Sequence, residues 1–303
     1  MAPSALFPEP ASSKPQTPKI ERVNAKTTTV DAICDIINRD GGVIVEDFIA
    51  KEHAQRIKDE LKPHFDADVG DKSGFFPNTT QRARGLVAKS AACVDLMTNP
   101  LLIDVANALL SDTYTHWLGQ NRVTVTTKPI LSSTVGFRVN PGSAQQGLHR
   151  DDIDWHVNEA GPSMFLGCVT AVMKTTKENG ATIVIPGSHL WDNERPPYDH
   201  EALPAELEPG DTLLIHGHVY HAGGANSTED ERRETVGMFF NRAQYRPVEN
   251  EFLEVPPEIA KNFTPQVQRL LGYGVALPNC GFYKYQDPMR VLFGVEDEET
   301  VNM

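Results

Sequence analysis

Two hydrophobic periods divide the chain. Over 29–39, Val30, Ile33, Cys34, Ile36 and Ile37 recur every three or four positions, which predicts a helix stopped by Asp40-Gly41-Gly42. Val43-Ile44-Val45 then reads as a short buried strand ending at Glu46-Asp47. A second helix is expected over 51–62, with Ala54, Ile57 and Leu61 on one side and Pro63 as its stop. His53 and His64 at its ends read as surface or capping residues. The stretch 66–80 has no period and is expected to be a loop, 85–89 a strand, and 95–110 a helix carried by Leu96, Leu101, Leu102, Val105, Ala106, Leu109 and Leu110.

From Trp117 onward the period shortens to two. Short β-rich runs bounded by Gly, Pro and Asn occupy 123–127, 133–139, 164–175, 182–185, 212–216 and 235–240. Many short strands after a helical beginning predict a mainly β jelly roll with flanking helices. After Arg246-Pro247 the pattern fades into a helix over 256–271 and a Gly-rich stretch over 272–281. The expected organisation is a Pro/Ser-rich tail over 1–20 and one domain over 21–303. Its β core spans about 117–246, and a segment over about 250–303 covers the site or meets a second copy.

Composition narrows the classes. The 303 residues carry a formal charge of −13, so a basic nucleic-acid-binding face is not expected. No apolar run approaches the roughly 20 residues of a membrane helix. The N-terminus lacks the charged and apolar regions of a secretory signal, and Val301-Asn302-Met303 matches no address signal. Cys34, Cys93, Cys168 and Cys280 lie far apart without metal-ligand spacing, and read as small buried hydrophobes in a reduced, cytoplasmic protein.

The chemistry gathers around His149-Arg150-Asp151. On an extended strand residues i and i+2 share a face, so His149 and Asp151 can close on one cation. A second imidazole would complete two histidines and one carboxylate, the set that suits non-haem Fe(II) and leaves open positions. His216, His218 and His221 can each supply it. Spacing on one strand face leans to His216 and His218, whereas Ala222-Gly223-Gly224 after His221 lets backbone approach a ligand closely.

Taken in order, Gln146-x-x-His149-x-Asp151-Asp152, Asn179-Gly180, Pro186-Gly187-Ser188-His189, Gly210-Asp211 and His221-x-Gly223-x-x-Asn226 resemble the phytanoyl-CoA dioxygenase family, and most closely its fungal branch that oxidises secondary metabolites. The resemblance covers about 29–246. It implies a double-stranded β-helix of the cupin-like kind, and the use of Fe(II), 2-oxoglutarate and O2. It places the metal ligands on His149, Asp151 and His221, and makes His189 a turn-shaping residue rather than a ligand. It also implies an arginine for the distal carboxylate of 2-oxoglutarate at the start of the strand after His221. Arg232 matches the family spacing better, but strand parity favours Arg233: Thr235, Gly237 and Phe239 then face inward and Glu234 faces solvent, whereas an inward Arg232 would bury Glu234 beside an anion. Gln146 is expected to touch the co-substrate and Thr182 to offer a hydroxyl from the opposite strand. Asp152 is expected to fix the loop or to hydrogen-bond behind the ligands. Trp155 reads as cavity mouth or packing. The activity implied is hydroxylation, desaturation, epoxidation or rearrangement of a small natural product such as a terpenoid or alkaloid. Asp151 at the carboxylate position disfavours halogenation. A homodimer is implied by the same relatives. Two other classes stay open: a cupin-like metal hydrolase or isomerase, and a binding β-sandwich with accidental histidines.

Overall fold

The computed structural model describes residues 19–69, 77–157 and 160–295. Most of the expected tail, the middle of the 66–80 loop and Val301-Asn302-Met303 lie outside the described residues. In chain order the elements are β1 (Glu21–Asn24), α1 (Val30–Asp40), β2 (Gly42–Glu46), α2 (Lys51–Asp66), β3 (Thr80–Arg84), α3 (Ala91–Met97), α4 (Pro100–Leu110), β4 (Asp112–Leu118), β5 (Asn121–Thr127) and β6 (Ile130–Val139). There follow β7 (Phe165–Ala171), β8 (Thr182–Val184), β9 (Leu203–Pro204), β10 (Thr212–His216), β11 (His221–Gly223), β12 (Arg233–Asn241), α5 (Glu251–Glu254), α6 (Pro257–Ala260), α7 (Pro265–Leu270) and α8 (Pro288–Phe293).

A seven-stranded sheet in the order β1-β2-β10-β7-β12-β6-β3 and a three-stranded sheet in the order β11-β8-β9 form a double-stranded β-helix. Strand alternation sends Val43, Val45, Cys168, Leu214, Val236, Met238 and Phe240 outward into one core with the helices. It sends Ile44, Val169, Leu213 and Ile215 inward against Val184 of the small sheet. Because both faces of β7 and β10 are covered, those strands are apolar runs without a polar face. The main sheet also takes β1, β2 and β3, so the β core is wider than the expected 117–246.

Local chemistry explains where helices start and stop. Thr29 caps α1 by accepting from Ala32 N, and Gly41 ends it in the left-handed region at φ 83°. A Cβ at Gly41 would also lie 2.7 Å from His189 Nδ1. Pro63 does not stop α2, which runs on to Asp66. The cost of an interior proline, about 3 kcal/mol, is offset by burying Phe65 against Gly136 and placing the Arg138 guanidinium 4.6 Å over its ring. The expected helix over 95–110 is two helices, because Asn99 accepts from Leu101 N and Leu102 N and Pro100 opens a new helix. Together α3 and α4 bend by 49°, and among the described residues no single helix is long and apolar enough to cross a membrane. The strand expected over 85–89 is a 3-10 turn at Leu86–Ala88, and the strand lies just before it, as β3. Thr264 and Pro265 start α7 afresh, so the expected helix over 256–271 is broken. Cys93 and Cys168 are buried, but Cys34 is half-buried and Cys280 exposed, so burial does not hold for all four.

Candidate metal and co-substrate site

The two segments carrying His149 and His221 are joined as a short antiparallel bridge: His149 N donates to His221 O and His221 N to His149 O, both at 3.0 Å. Each imidazole has Nδ1 against a backbone carbonyl, Gly147 O at 2.9 Å and Val219 O at 3.1 Å. A carbonyl only accepts, so Nδ1 carries the proton and Nε2 keeps its lone pair. Both Nε2 atoms turn to Asp151, His149 Nε2 at 3.7 Å from Oδ1 and His221 Nε2 at 3.5 Å from Oδ2. One ligand atom from each of the three residues lies within 4.8 Å of the others. Asp151 Oδ2 is buried and, among the described residues, has no hydrogen-bond partner. Burial, and then the neighbouring His221, lower the pKa of His149 and favour the neutral, metal-binding form. Two imidazole nitrogens and an orphaned carboxylate oxygen fit a divalent transition metal. The shared strand face expected for His149 and Asp151 holds only up to Arg150, because Asp151 opens a 3-10 turn at Asp151–Trp155.

A buried polar brace lies behind this triad. Asp151 N and Asp152 N both donate to Gly217 O, at 2.9 and 3.3 Å. His218 Nδ1 donates to the Asp152 carboxylate at 2.9 and 3.0 Å, and both side chains are buried. The backbone N–H of His218 donates to His216 Nδ1 at 3.0 Å, and the His216 ring lies 5.2 Å from that of His189. Burial, followed by His189 and His218, pushes the His216 imidazole down to about 3, so it stays neutral. His189 Nε2 donates to Asn38 O. His216 and His218 therefore sit behind the triad, whereas His221 is the member of the cluster beside Asp151. The residue types in the His-rich turn were visible in the sequence, but the His218–Asp152 pairing was not.

Beside the triad is a cavity of about 400 Å³, also lined by Gln146, Thr182, Arg233 and Phe239. Arg233 is 3 % exposed and among the described residues has no carboxylate partner. Its guanidinium donates to Thr235 Oγ1 at 3.2 Å and to Thr182 Oγ1 at 3.1 Å, and Nε has no partner. Burial pulls its pKa down to about 10, which leaves it charged at neutral pH. An uncompensated buried cation is costly, so the site is built for an anion. Arg232 is exposed. Thr235, seen beforehand only as an inward position, supplies the second hydroxyl. Glu234 does face the other side of the sheet, but not solvent: it is 1 % exposed and paired with Arg138 at 2.6 Å, because α2 covers that face. Gln146 turns its amide oxygen to Gly223 N at 2.8 Å. Trp155 packs on Phe165, which lines the cavity, and donates to Arg246 O, so it backs the lining.

A double-stranded β-helix with two histidines and one carboxylate beside a buried arginine defines a non-haem iron oxygenase that uses a 2-oxo acid. The chain belongs to the phytanoyl-CoA dioxygenase (PhyH) family, which matches residues 37–234. It is a non-haem iron dioxygenase that uses 2-oxoglutarate and O2. The chain is 33% identical to the dioxygenase peniF of Penicillium patulum over 283 residues, covering 90% of this chain and 92% of the relative. It is 31% identical to the dioxygenase himG of Aspergillus japonicus, with 90% of each chain covered. Among solved structures, the α-ketoglutarate-dependent epimerase SnoN of nogalamycin biosynthesis shares the fold at a TM-score of 0.55 and 20% identity, covering 74% of this chain and 88% of that one.

Proposed function

We propose that this dioxygenase oxidises a small, neutral, largely apolar natural product, such as a terpenoid or alkaloid of fungal secondary metabolism. In this reading His149, Asp151 and His221 hold the iron and Arg233 anchors 2-oxoglutarate. The observation that carries it is the buried Arg233 guanidinium, held among the described residues by Thr182 and Thr235 in the same cavity as the triad. A planar guanidinium suits a carboxylate, and the two threonines hold it in place before that carboxylate arrives. The Gly223–Gln146 contact sets the Gln146 amide on the same wall, where its nitrogen can donate to the bound acid. Iron bound here would activate O2 at the expense of the 2-oxo acid, for hydroxylation, desaturation, epoxidation or rearrangement of the substrate. With Asp151 filling the carboxylate position, halide transfer is disfavoured.

The rest of the cavity supports an apolar substrate. Val135, Phe137, Phe165, Val169, Phe239 and Val248 line it. Its other arginine, Arg150, is engaged by Asn193 Oδ1, Ser188 O and Trp191 O, so it does not suit the phosphates of a thioester carrier. A cupin-like hydrolase or isomerase is not favoured, because it leaves the Arg233 pocket without a use. The reading takes 21–303 as one catalytic domain, acting in the cytoplasm as a homodimer; the free cysteines and the exposed Trp117, Leu118 and Leu253 support the last two points.

The test is an anaerobic titration of apoprotein with Fe(II) and then 2-oxoglutarate, followed through the visible charge-transfer band of the chelated keto acid. The band is expected to need both additions and to vanish in His149→Ala. In Arg233→Ala the apparent affinity for 2-oxoglutarate should fall about a hundredfold, with Arg232→Ala unchanged. No band in folded, metal-loaded wild-type protein would sink the reading.

A further inference from the structure

The inward face of β12 reads Arg233, Thr235, Gly237, Phe239. At roughly 3.3 Å per residue, Phe239 lies about 20 Å along the strand from Arg233. One end of the cavity is therefore cationic and the other aromatic. A Cβ built on Gly237 would lie 2.4 and 2.7 Å from two ring atoms of Phe239, so the ring lies back over that glycine. Gly167 on β7 is the cross-strand partner of Phe239; a Cβ there would lie 2.8 Å from Ile215 Cγ1 and only in ordinary contact, 3.4 Å, with the Phe239 ring. Neither glycine has a positive φ, so the backbone would accept alanine at both. What both positions require is the space itself, which the Phe239 ring fills at Gly237 and Ile215 fills at Gly167.

With its ring lying over Gly237, Phe239 does not stand up into the cavity. Its ring is near-parallel to that of Phe165, 22° apart with centroids 5.6 Å distant. Phe165 is 3 % exposed, while Phe239 is only half-buried, and both line the cavity. The uncovered surface is an aromatic one, without a charged side chain on β12 between it and Thr235.

We propose that Phe239, backed by Phe165, is a specificity-determining platform that seats a flat, unsaturated ring of the substrate, and that Gly237 sets the depth of the cavity by letting the Phe239 ring lie down. This rests on the oxygenase reading of the same cavity and adds the chemical class of the substrate. A flat π-system gains offset stacking on such a surface, whereas a saturated ring of equal size gains burial alone. Gly237→Ala lifts the Phe239 ring into the space the substrate needs.

The experiment uses 2-naphthol and decahydro-2-naphthol, two neutral probes of similar size, with binding to the full chain measured by equilibrium dialysis in the presence of Fe(II) and 2-oxoglutarate without oxygen. Wild-type protein should prefer the aromatic probe by roughly fivefold, and Phe239→Leu should abolish the preference. Gly237→Ala should weaken 2-naphthol about tenfold, and this loss should disappear when Phe239→Ala is added, because the glycine acts through the ring. Equal binding of the two probes by wild-type protein overturns the proposal, as does a preference that survives Phe239→Leu. A Gly237→Ala loss that persists without the ring overturns the role of the glycine. The charge-transfer band is read in the same samples: its absence from wild-type protein would reject the oxygenase reading, whereas its presence without a probe preference rejects the platform alone.

Discussion

Arg233 and Glu234 are neighbours with opposite fates, and strand alternation decides both. The guanidinium enters a cavity where, among the described residues, no carboxylate pairs with it; the carboxylate enters a packed face where Arg138 waits at 2.6 Å. A different carboxyl lacks any such partner. Glu251 is 1 % exposed and neither of its side-chain oxygens is hydrogen-bonded. Burial, and then Glu249 and Glu254, push its pKa up to about 8. Between the ordinary carboxylate range and about 8 the folded chain thus binds more protons at this residue than the unfolded chain does, so Glu251 makes stability fall as pH rises through that window. Glu251→Gln should remove this slope. In thermal melts it should unfold several degrees higher than wild type above about pH 8 and nearly level with it near pH 4.5. Equal melting points at both pH values would show that the acid is not held protonated.

At the scale of elements, the triad depends on how two segments are locked together. The His149–His221 bridge aligns two imidazoles, but Asp151 has already left extended backbone and is placed instead by Gly217 O and by the Asp152–His218 pair. Asp152→Ala should therefore weaken Fe(II) binding by about 10- to 100-fold. Asp152→Asn, whose amide oxygen still accepts from His218, should lose far less. Metal titration with far-UV circular dichroism alongside separates this from unfolding; equal losses in the two variants would show that the hydrogen bond is not what places Asp151. The helical elements follow from local chemistry, and so do most of the misplaced ends. Asn99-Pro100 and Thr264-Pro265 are start signals inside runs whose apolar period continues, and the period alone carried the expected helices across them. At Pro63 the opposite happened: a local stop signal yielded to the burial of Phe65.

Across the whole molecule, the main sheet is covered on one face by helices and on the other by the small sheet, while the β4–β5 ribbon is held at its Asp112 and Thr127 end, by Arg242 and Leu277 O, and its turn end is left open. It is a two-stranded sheet of its own, and Tyr114, Trp117 and Leu118 are all more than half exposed. Such a ribbon is marginal in water without further packing. In the proposed homodimer a second copy supplies that packing. Sedimentation should find a dimer at micromolar concentration and a monomer for the combined Trp117→Ser and Leu118→Ser variant, with the charge-transfer band retained. A monomeric wild-type chain would reject the dimer.

By itself the sequence determined the period change from helix to strand, the residue types of the triad, and the alternation that turns Arg233 and Glu234 to opposite faces, although the solvent it expected around Glu234 is instead the buried Arg138. These are local matters: side-chain period, turn residues and neighbours in one strand. Spacing alone could not say which of His216, His218 and His221 stands beside Asp151, and only the family resemblance pointed to His221, because all three lie in one turn and the pairing of that turn with 149–152 distinguishes them. Nor could the sequence say that the face of β12 bearing Glu234 is dry, that β1, β2 and β3 return to the main sheet, or that Gly237 and Gly167 both border one ring. Each of these joins residues far apart in the chain, and long-range packing alone brings such residues together.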